Sequence, residues 1–297
     1  MKKTAPFLIL LAGILWGIIG IFIRRLDKLG FASMDIVAIR AVTTLVLLFL
    51  FLLIYDKKLL RIRLKDLWCF FGTGILSIVF FNFCYFKAIT LTSLSVAAIL
   101  LYTAPAIVML LSALLFGEKI TGRKVVSLLL TFIGCVLATG AISGAPVLSL
   151  RGLLTGLGAG LGYALYSVFS RYALERGYHS LTISFYTFLF AAAGTLPFAD
   201  IPGLVGACRG DAGLVPYCLL FGLLSTVLPY IAYTRGLQEM ENSKASIIAS
   251  VEPVAATLLG VIAYSEHLSV PALLGILMVL GAIALSNGII RGKKHTK

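Results

Sequence analysis

The sequence predicts an all-α integral membrane protein with ten transmembrane helices arranged as two inverted five-helix repeats. Three observations predict it: an apolar composition, ten apolar runs of spanning length, and a second half that repeats the first at a shift of 148 residues. Of 297 residues, 60% are hydrophobic and 12% charged, with a mean hydropathy of +1.04. A soluble domain carries about 45–50% apolar and about 25% charged residues. One water-soluble core of this length has no means of hiding the excess.

Crossing a hydrocarbon layer about 30 Å thick takes about 20 apolar residues at a rise of about 1.5 Å each. Runs of that length are expected near 6–23, 36–55, 67–86, 94–116, 125–142, 152–170, 181–199, 214–234, 245–264 and 270–290. The first begins on "MKK", as a signal peptide would. Its apolar stretch is longer than a signal core, however, and ends in Arg24 and Arg25 instead of a small-residue cleavage site, so a retained helix is expected.

Lys and Arg in the loops orient the spans. With the N-terminus in the cytoplasm, 18 of the 25 basic residues fall on the inner side and six on the outer, while Arg40 lies inside the second span. Both termini are therefore expected in the cytoplasm of a plasma (inner) membrane, in a multi-pass protein. The net charge of +13 comes in short clusters between apolar runs. That spacing suits anionic headgroups, whereas a nucleic-acid binder gathers its charge on one exposed face. The lipid bilayer is the expected partner, and nucleic acid is not. Five cysteines without CxxC spacing and three scattered histidines give no disulfide framework, no metal site and no cofactor.

The repeat sharpens the topology. "YFKAITLTSLSVAAILLYTAPAIVMLLSALLFGE" from Tyr85 overlays "YTRGLQEMENSKASIIASVEPVAATLLGVIAYSE" from Tyr233. The identities include Tyr85/Tyr233, Ser95/Ser243, Pro105/Pro253 and Glu118/Glu266, and Lys87/Arg235 keeps its charge. Near the start of each half, "GILWGIIGIFIR" pairs with "GLGYALYSVFSR". The halves are 5–142 and 152–290. Five spans reverse direction across a membrane, so duplicated five-span halves insert in opposite senses. That arrangement typifies secondary transporters, whose substrate sites lie at mid-membrane between the repeats. Pro105 and Pro253 each interrupt a span near its middle. A proline frees a carbonyl and bends its helix, which lipid tolerates where the backbone faces protein or a wet cavity.

The stretches "TAPAIVMLLSALLFGEKIT" and "VEPVAATLLGVIAYSEHLS" resemble the proline-to-glutamate signature of the EamA type of the drug/metabolite transporter superfamily. "AGILWGIIGIFIR" and Arg40 in "DIVAIRAV" fit the same pattern. The resemblance covers nearly the whole chain as two tandem units. It implies a central cavity formed by spans 1–4 and 6–9, with spans 5 and 10 behind, and leaves the substrate open among amino acids, metabolites and drugs.

Glu252 is the sharpest candidate for chemistry. A charge at mid-span costs roughly 2.5–3.5 kcal/mol on insertion scales. The equivalent residue in the first half is Ala104, so the acid breaks the internal symmetry. A proton site is one reading, and a hydrogen bond to backbone freed by Pro253 is the other. Trp16, Asn82, Tyr102, Tyr163, Tyr166 and Tyr230 are the candidate cavity residues, being polar-tipped or aromatic groups on mid-depth helix faces. Tyr85 and Tyr233, near predicted span ends, suit an interfacial belt. Glu118 and Glu266, ending the fourth and ninth spans, suit a structural or gating charge that pairs with a loop cation or caps a neighbouring helix. Arg40, close to a predicted span start, either snorkels outward or meets a substrate carboxylate.

The glycine run "GLLTGLGAGLG" lacks phosphate-loop spacing and forms small-xxx-small packing faces, as does Gly13/Gly17. Small residues at Gly134, Ala138, Gly275 and Ala282 permit a homodimer as well as a monomer. The expected function is secondary active transport of small organic solutes by alternating access, with both proton coupling at Glu252 and direction, import or efflux, left open. The alternatives are a passive channel and a polytopic membrane enzyme. Scattered histidines weigh against the enzyme.

Overall fold

The computed structural model describes residues 4–140, 149–265 and 267–288. All regular structure there is helical, with no strand among the described residues. The principal helices are α1 (Ala5–Lys28), α2 (Ser33–Tyr55), α3 (Leu64–Leu91), α4 (Leu94–Phe116) and α5 (Gly122–Ala138). They continue as α6 (Leu150–Glu175), α7 (Ser180–Phe198), α8 (Leu214–Leu237), α9 (Asn242–Tyr264) and α10 (Val270–Ser286). A short helix, Ile201–Gly210, joins α7 to α8.

Eight of these, α1–α4 and α6–α9, are long and apolar enough to cross a membrane, and α10 is a shorter apolar helix. The protein is therefore an integral, multi-pass membrane protein. Of the ten predicted runs, the fifth and tenth yield only 17 helical residues each, about 25 Å of rise. Arg123 and Lys124 occupy the first turn of α5 and shorten its apolar part. The outer surface is what lipid requires: Ile54 is 88% exposed, Leu114 81% and Ile262 78%.

The interhelical contacts run mainly between halves. Helix α1 packs on α8 and α9, and α6 packs on the corresponding α3 and α4. Helix α2 pairs with α7, and α5 with α10. Helices in lipid gain little from apolar burial against each other, so close approach over small residues has to hold them. A Cβ on Gly17 of α1 would lie 2.6 Å from Ala255 Cβ and 2.9 Å from the Glu252 carbonyl of α9. In α6, Gly156 and Gly160 meet Leu100 of α4, while Gly158 meets Cys84 and Gly162 meets Phe81 of α3. Gly134 and Gly275 place the α5 and α10 backbones against each other. Ala138 and Ala282 are buried in the same chain. The small residues read as open to self-association thus stand in intrachain seams.

Besides a break in α1 at Ile18, four helices are interrupted, in two matching pairs. In α4 the turn ends at Leu101 and resumes at Ala104, and in α9 it ends at Ala249 and resumes at Glu252. Both breaks sit at the same place under the 148-residue shift, and each proline is the second residue of the resumed segment. Pro253 cannot donate to the Ala249 carbonyl. That carbonyl faces α1, where a Cβ on Gly13 would come within 2.8 Å of it. In the other pair, π-helical turns widen α3 at Gly72–Val79 and α8 at Leu223–Val227. The resumed halves of α4 and α9 end on the matching left-handed residues Gly117 (φ 65°) and Ser265 (φ 54°).

Candidate functional site

The breaks of α4 and α9 and the π turn of α3 border one cavity of about 260 Å³. Its wall takes Trp16, Ile19 and Ile23 from α1, Arg40 from α2, and Ser77, Phe81, Asn82, Tyr85 and Phe86 from α3. Tyr102 joins from α4, Tyr163, Tyr166 and Ser167 from α6, Tyr230 and Tyr233 from α8, and Glu252 and Pro253 from α9. Along α1 the lining runs from Trp16 to Ile23, so the space reaches from mid-helix toward that helix's C-terminal end.

Every cavity candidate named from the sequence lies on this wall: Trp16, Asn82, Tyr102, Tyr163, Tyr166, Tyr230 and Glu252. Pro253 borders it as well, whereas Pro105 is buried in the packing of α4 and does not. Tyr85 and Tyr233 line the cavity too, not an interfacial belt. The physical reason is helix length: α3 runs to Leu91 and α8 to Leu237, beyond the span ends drawn from hydropathy, so both tyrosines sit deeper. Arg40 differs in the same way. Helix α2 starts at Ser33, placing Arg40 two turns in, and its side chain is buried at 9% exposure instead of snorkelling to headgroups.

Glu252 is the first residue of its helical segment, where the unpaired amide groups of a helix N-terminus favour negative charge. Its carboxylate accepts a hydrogen bond from the Tyr163 hydroxyl at 3.2 Å and forms no ion pair among the described residues. The sequence allowed a bond to backbone freed by Pro253, but the partner is a side chain on α6 of the same half. Around it the aromatics interlock. Trp16 meets Tyr230 edge-on with ring centroids 5.3 Å apart, and Tyr230 meets Tyr166 at 4.9 Å. Edge-to-face rings hold their orientation because positive edge meets negative face.

The other end of the cavity is shut by two hydroxyl pairs that periodicity does not reveal. Tyr166 Oη lies 2.7 Å from Thr234 Oγ1, and Tyr233 Oη lies 2.8 Å from Ser167 Oγ, all four groups buried. Each pair ties α6 to α8, and such bonds in membranes are worth about 0.6 kcal/mol on average. Beyond them, Glu118 at the end of α4 caps the start of α9. It accepts from the Asn242 N–H at 2.7 Å, from the Ser243 N–H at 3.2 Å and from the Ser243 hydroxyl. Lys124 Nζ stands 3.6 Å from the same carboxylate. Glu118 thus both caps a helix and pairs with a cation, the two roles its position offered. Its sequence counterpart, Glu266, lies outside the described residues.

The residues on the wall do not make a metal site: no group of three or more His, Cys, Asp or Glu side chains able to hold a metal occurs among the described residues.

With this geometry in hand, comparison with known proteins is informative. The EamA-like transporter family matches the chain twice, over residues 3–140 and 150–288. An uncharacterized transporter of Archaeoglobus fulgidus is 30% identical over 286 residues, covering 94% of each chain. The uncharacterized transporter YxxF of Bacillus subtilis is 25% identical, covering 99% of this chain and 93% of its own. A solved crystal structure superposes with a TM-score of 0.77 at 19% identity, over 98% of this chain and 99% of that one, a likeness of fold.

Proposed function

The chain belongs to the EamA-like transporter family, and from that premise we propose that it is a secondary transporter of small organic solutes working by alternating access. The observation that carries the reading is Glu252, an acid with no ion pair among the described residues, set at a helix break on the wall of a cavity between two matching halves. The halves 5–142 and 152–290 are taken as inverted repeats of five spans each, with α5 and α10 as the short outer pair. Pairings such as α1–α8 and α6–α3, which exchange when the halves are swapped, support a pseudo-twofold relation.

With the N-terminus cytoplasmic, the cavity end near Ile23 and Phe86 faces outward. The hydroxyl pairs and the Glu118 cap close the inner side. Rocking one half against the other breaks the Glu118 cap, which joins the two halves, and forms a counterpart on the outer side, around the same central site.

Glu252 carries the coupling proton. The titratable and charged groups around it are Arg40 of α2, Tyr85 of α3, Tyr102 of α4, Tyr163 of α6, and Tyr230 and Tyr233 of α8. Cys135 of α5 lies behind the break, against the Ser250 carbonyl at 3.9 Å. With acid and solute sharing one small space, gain or loss of the proton changes what the space attracts.

The test is flux in proteoliposomes, with and without an imposed pH gradient. An inward or outward gradient is expected to drive solute accumulation in the native protein and none in Glu252→Gln. Equal flux that ignores the gradient points to a passive facilitator and overturns the coupling.

A further inference from the structure

Arg40 is a buried charge with no ion pair or hydrogen bond to its guanidinium among the described residues, although the Glu252 carboxylate lies near enough to feel its charge. Its side chain is 9% exposed, and among the described residues no carboxylate, carbonyl or hydroxyl hydrogen-bonds its guanidinium. Buried charges are normally paired, since an uncompensated one is strongly destabilising. The guanidinium borders the main cavity and an adjoining space of about 50 Å³ beside Ser33, Ile36 and Phe221. Asn82 borders both spaces as well, and its amide nitrogen is committed to the Ile78 carbonyl at 2.8 Å.

The rest of the wall restricts the counter-ion. Among the described lining residues, Arg40 is the one cation and Glu252 the one anion, and Glu252 is held by a tyrosine, not by Arg40. A simple anion would satisfy Arg40 and leave the carboxylate unmatched. A simple cation would do the reverse. A solute with a carboxylate at one end and a protonated amine at the other satisfies both, and the aromatic wall with Trp16 and Tyr230 offers apolar area to a side chain. The planar guanidinium fork matches a carboxylate with two parallel N–H···O bonds.

We propose that Arg40 seats the carboxylate of a zwitterionic, amino-acid-like solute whose ammonium group lies toward Glu252. This rests on reading the cavity as the transport site. It adds that solute and proton compete for one carboxylate, so that protonation of Glu252 releases the amine.

The chain has two tryptophans, and Trp68 is 41% exposed, away from the cavity. In a Trp68→Phe background of the full chain in nanodiscs, Trp16 fluorescence reports cavity binding without requiring transport. The probes are L-alanine, L-leucine and L-threonine, each beside its amide, which lacks the carboxylate, and its deaminated acid, which lacks the amine. At least one amino acid is expected to bind ten-fold or more tightly than both of its analogues. Arg40→Gln is expected to abolish the advantage over the amide and to keep the advantage over the deaminated acid. Arg40→Lys, which keeps charge but loses the fork, is expected to fall between. Amides binding as tightly as their parent amino acids, an unchanged ratio in a folded Arg40→Gln protein, or no response of Trp16 to any amino acid each overturn the proposal. Should Arg40→Gln fail to fold, the native ratios and Arg40→Lys still decide. Binding with the expected ratios but no flux in liposomes sinks the transport reading alone. Flux of solutes whose amides bind equally well sinks the carboxylate seat alone.

Discussion

The Glu118 carboxylate, at the end of α4, takes its hydrogen bond from the Asn242 N–H at the start of α9, 2.7 Å away and 124 residues on in sequence. A helix start leaves amide groups without intrahelical partners. The residue preceding α9, Glu241, supplies no side-chain cap of its own, so the other half of the protein supplies it. Glu118→Ala is expected to cost about 2 kcal/mol, the scale of hydrogen bonds to a charged group. A lowered Tm in detergent checks it. So does faster labelling of a cysteine placed at Ser246.

Close packing at Gly17 makes a sharp contrast with Gly281 of α10. A Cβ on Gly17 would meet Ala255 Cβ at 2.6 Å and the Glu252 carbonyl at 2.9 Å, whereas a Cβ on Gly281 meets nothing within 4 Å. Gly17→Ala is expected to destabilise by about 1–3 kcal/mol through overpacking. Gly281→Ala is expected to stabilise by about 0.5–1 kcal/mol through helix propensity. Thermal unfolding of the two variants side by side tests the opposite signs.

Ser265 holds φ 54° where the first half has Gly117 at φ 65°. Only glycine enters that region without a Cβ penalty. Ser265→Gly is therefore expected to raise stability by up to about 1 kcal/mol. Tm read at a single pH and detergent is sufficient, and a decrease would show the serine hydroxyl to matter more than the strain.

His179 gives the fold a pH dependence. It caps α7 by accepting from the Leu181 N–H at Nδ1, 3.2 Å away, while Arg235 stands 3.4 Å from its other nitrogen. Neutral imidazole accepts at one nitrogen only, so the Arg235 contact is a cation beside a ring N–H. Burial, and then the Arg235 charge, hold the His179 pKa below its ordinary 6.5. The unfolded chain therefore binds the proton first as pH falls, and the folded state loses stability below about pH 6.5. Protonation also removes the acceptor that caps α7, a cap worth about 1 kcal/mol. Tm is expected to fall in that range for the native protein and to fall less for His179→Asn, which caps without titrating.

Much of this site was legible because mid-membrane polarity is conspicuous. Glu252, Tyr163 and Tyr166 announced themselves as groups that hydrocarbon does not accommodate, and Pro253 marked the break beside them. The interfacial reading of Tyr85 and Tyr233 and the snorkelling alternative for Arg40 fail for one shared reason. Hydropathy ends a span where the apolar run ends, yet α3 and α8 continue into polar residues and α2 begins before its apolar run. The Tyr233–Ser167 and Tyr166–Thr234 pairs depend on which faces of α6 and α8 meet, and no single-helix pattern encodes that. The π turns likewise change backbone register without a dedicated residue signal.

On the proposed coupling through Glu252 and the proposed zwitterionic solute, a cavity wall with a single acid among the described residues implies a stoichiometry. One carboxylate exchanges one proton per turnover, and trading it against a solute of zero net charge makes the cycle electrogenic by one elementary charge. A potential of 100 mV then supplies about 2.3 kcal/mol per cycle. At about 1.36 kcal/mol per tenfold, voltage alone sustains roughly a fifty-fold solute ratio with no pH difference across the bilayer.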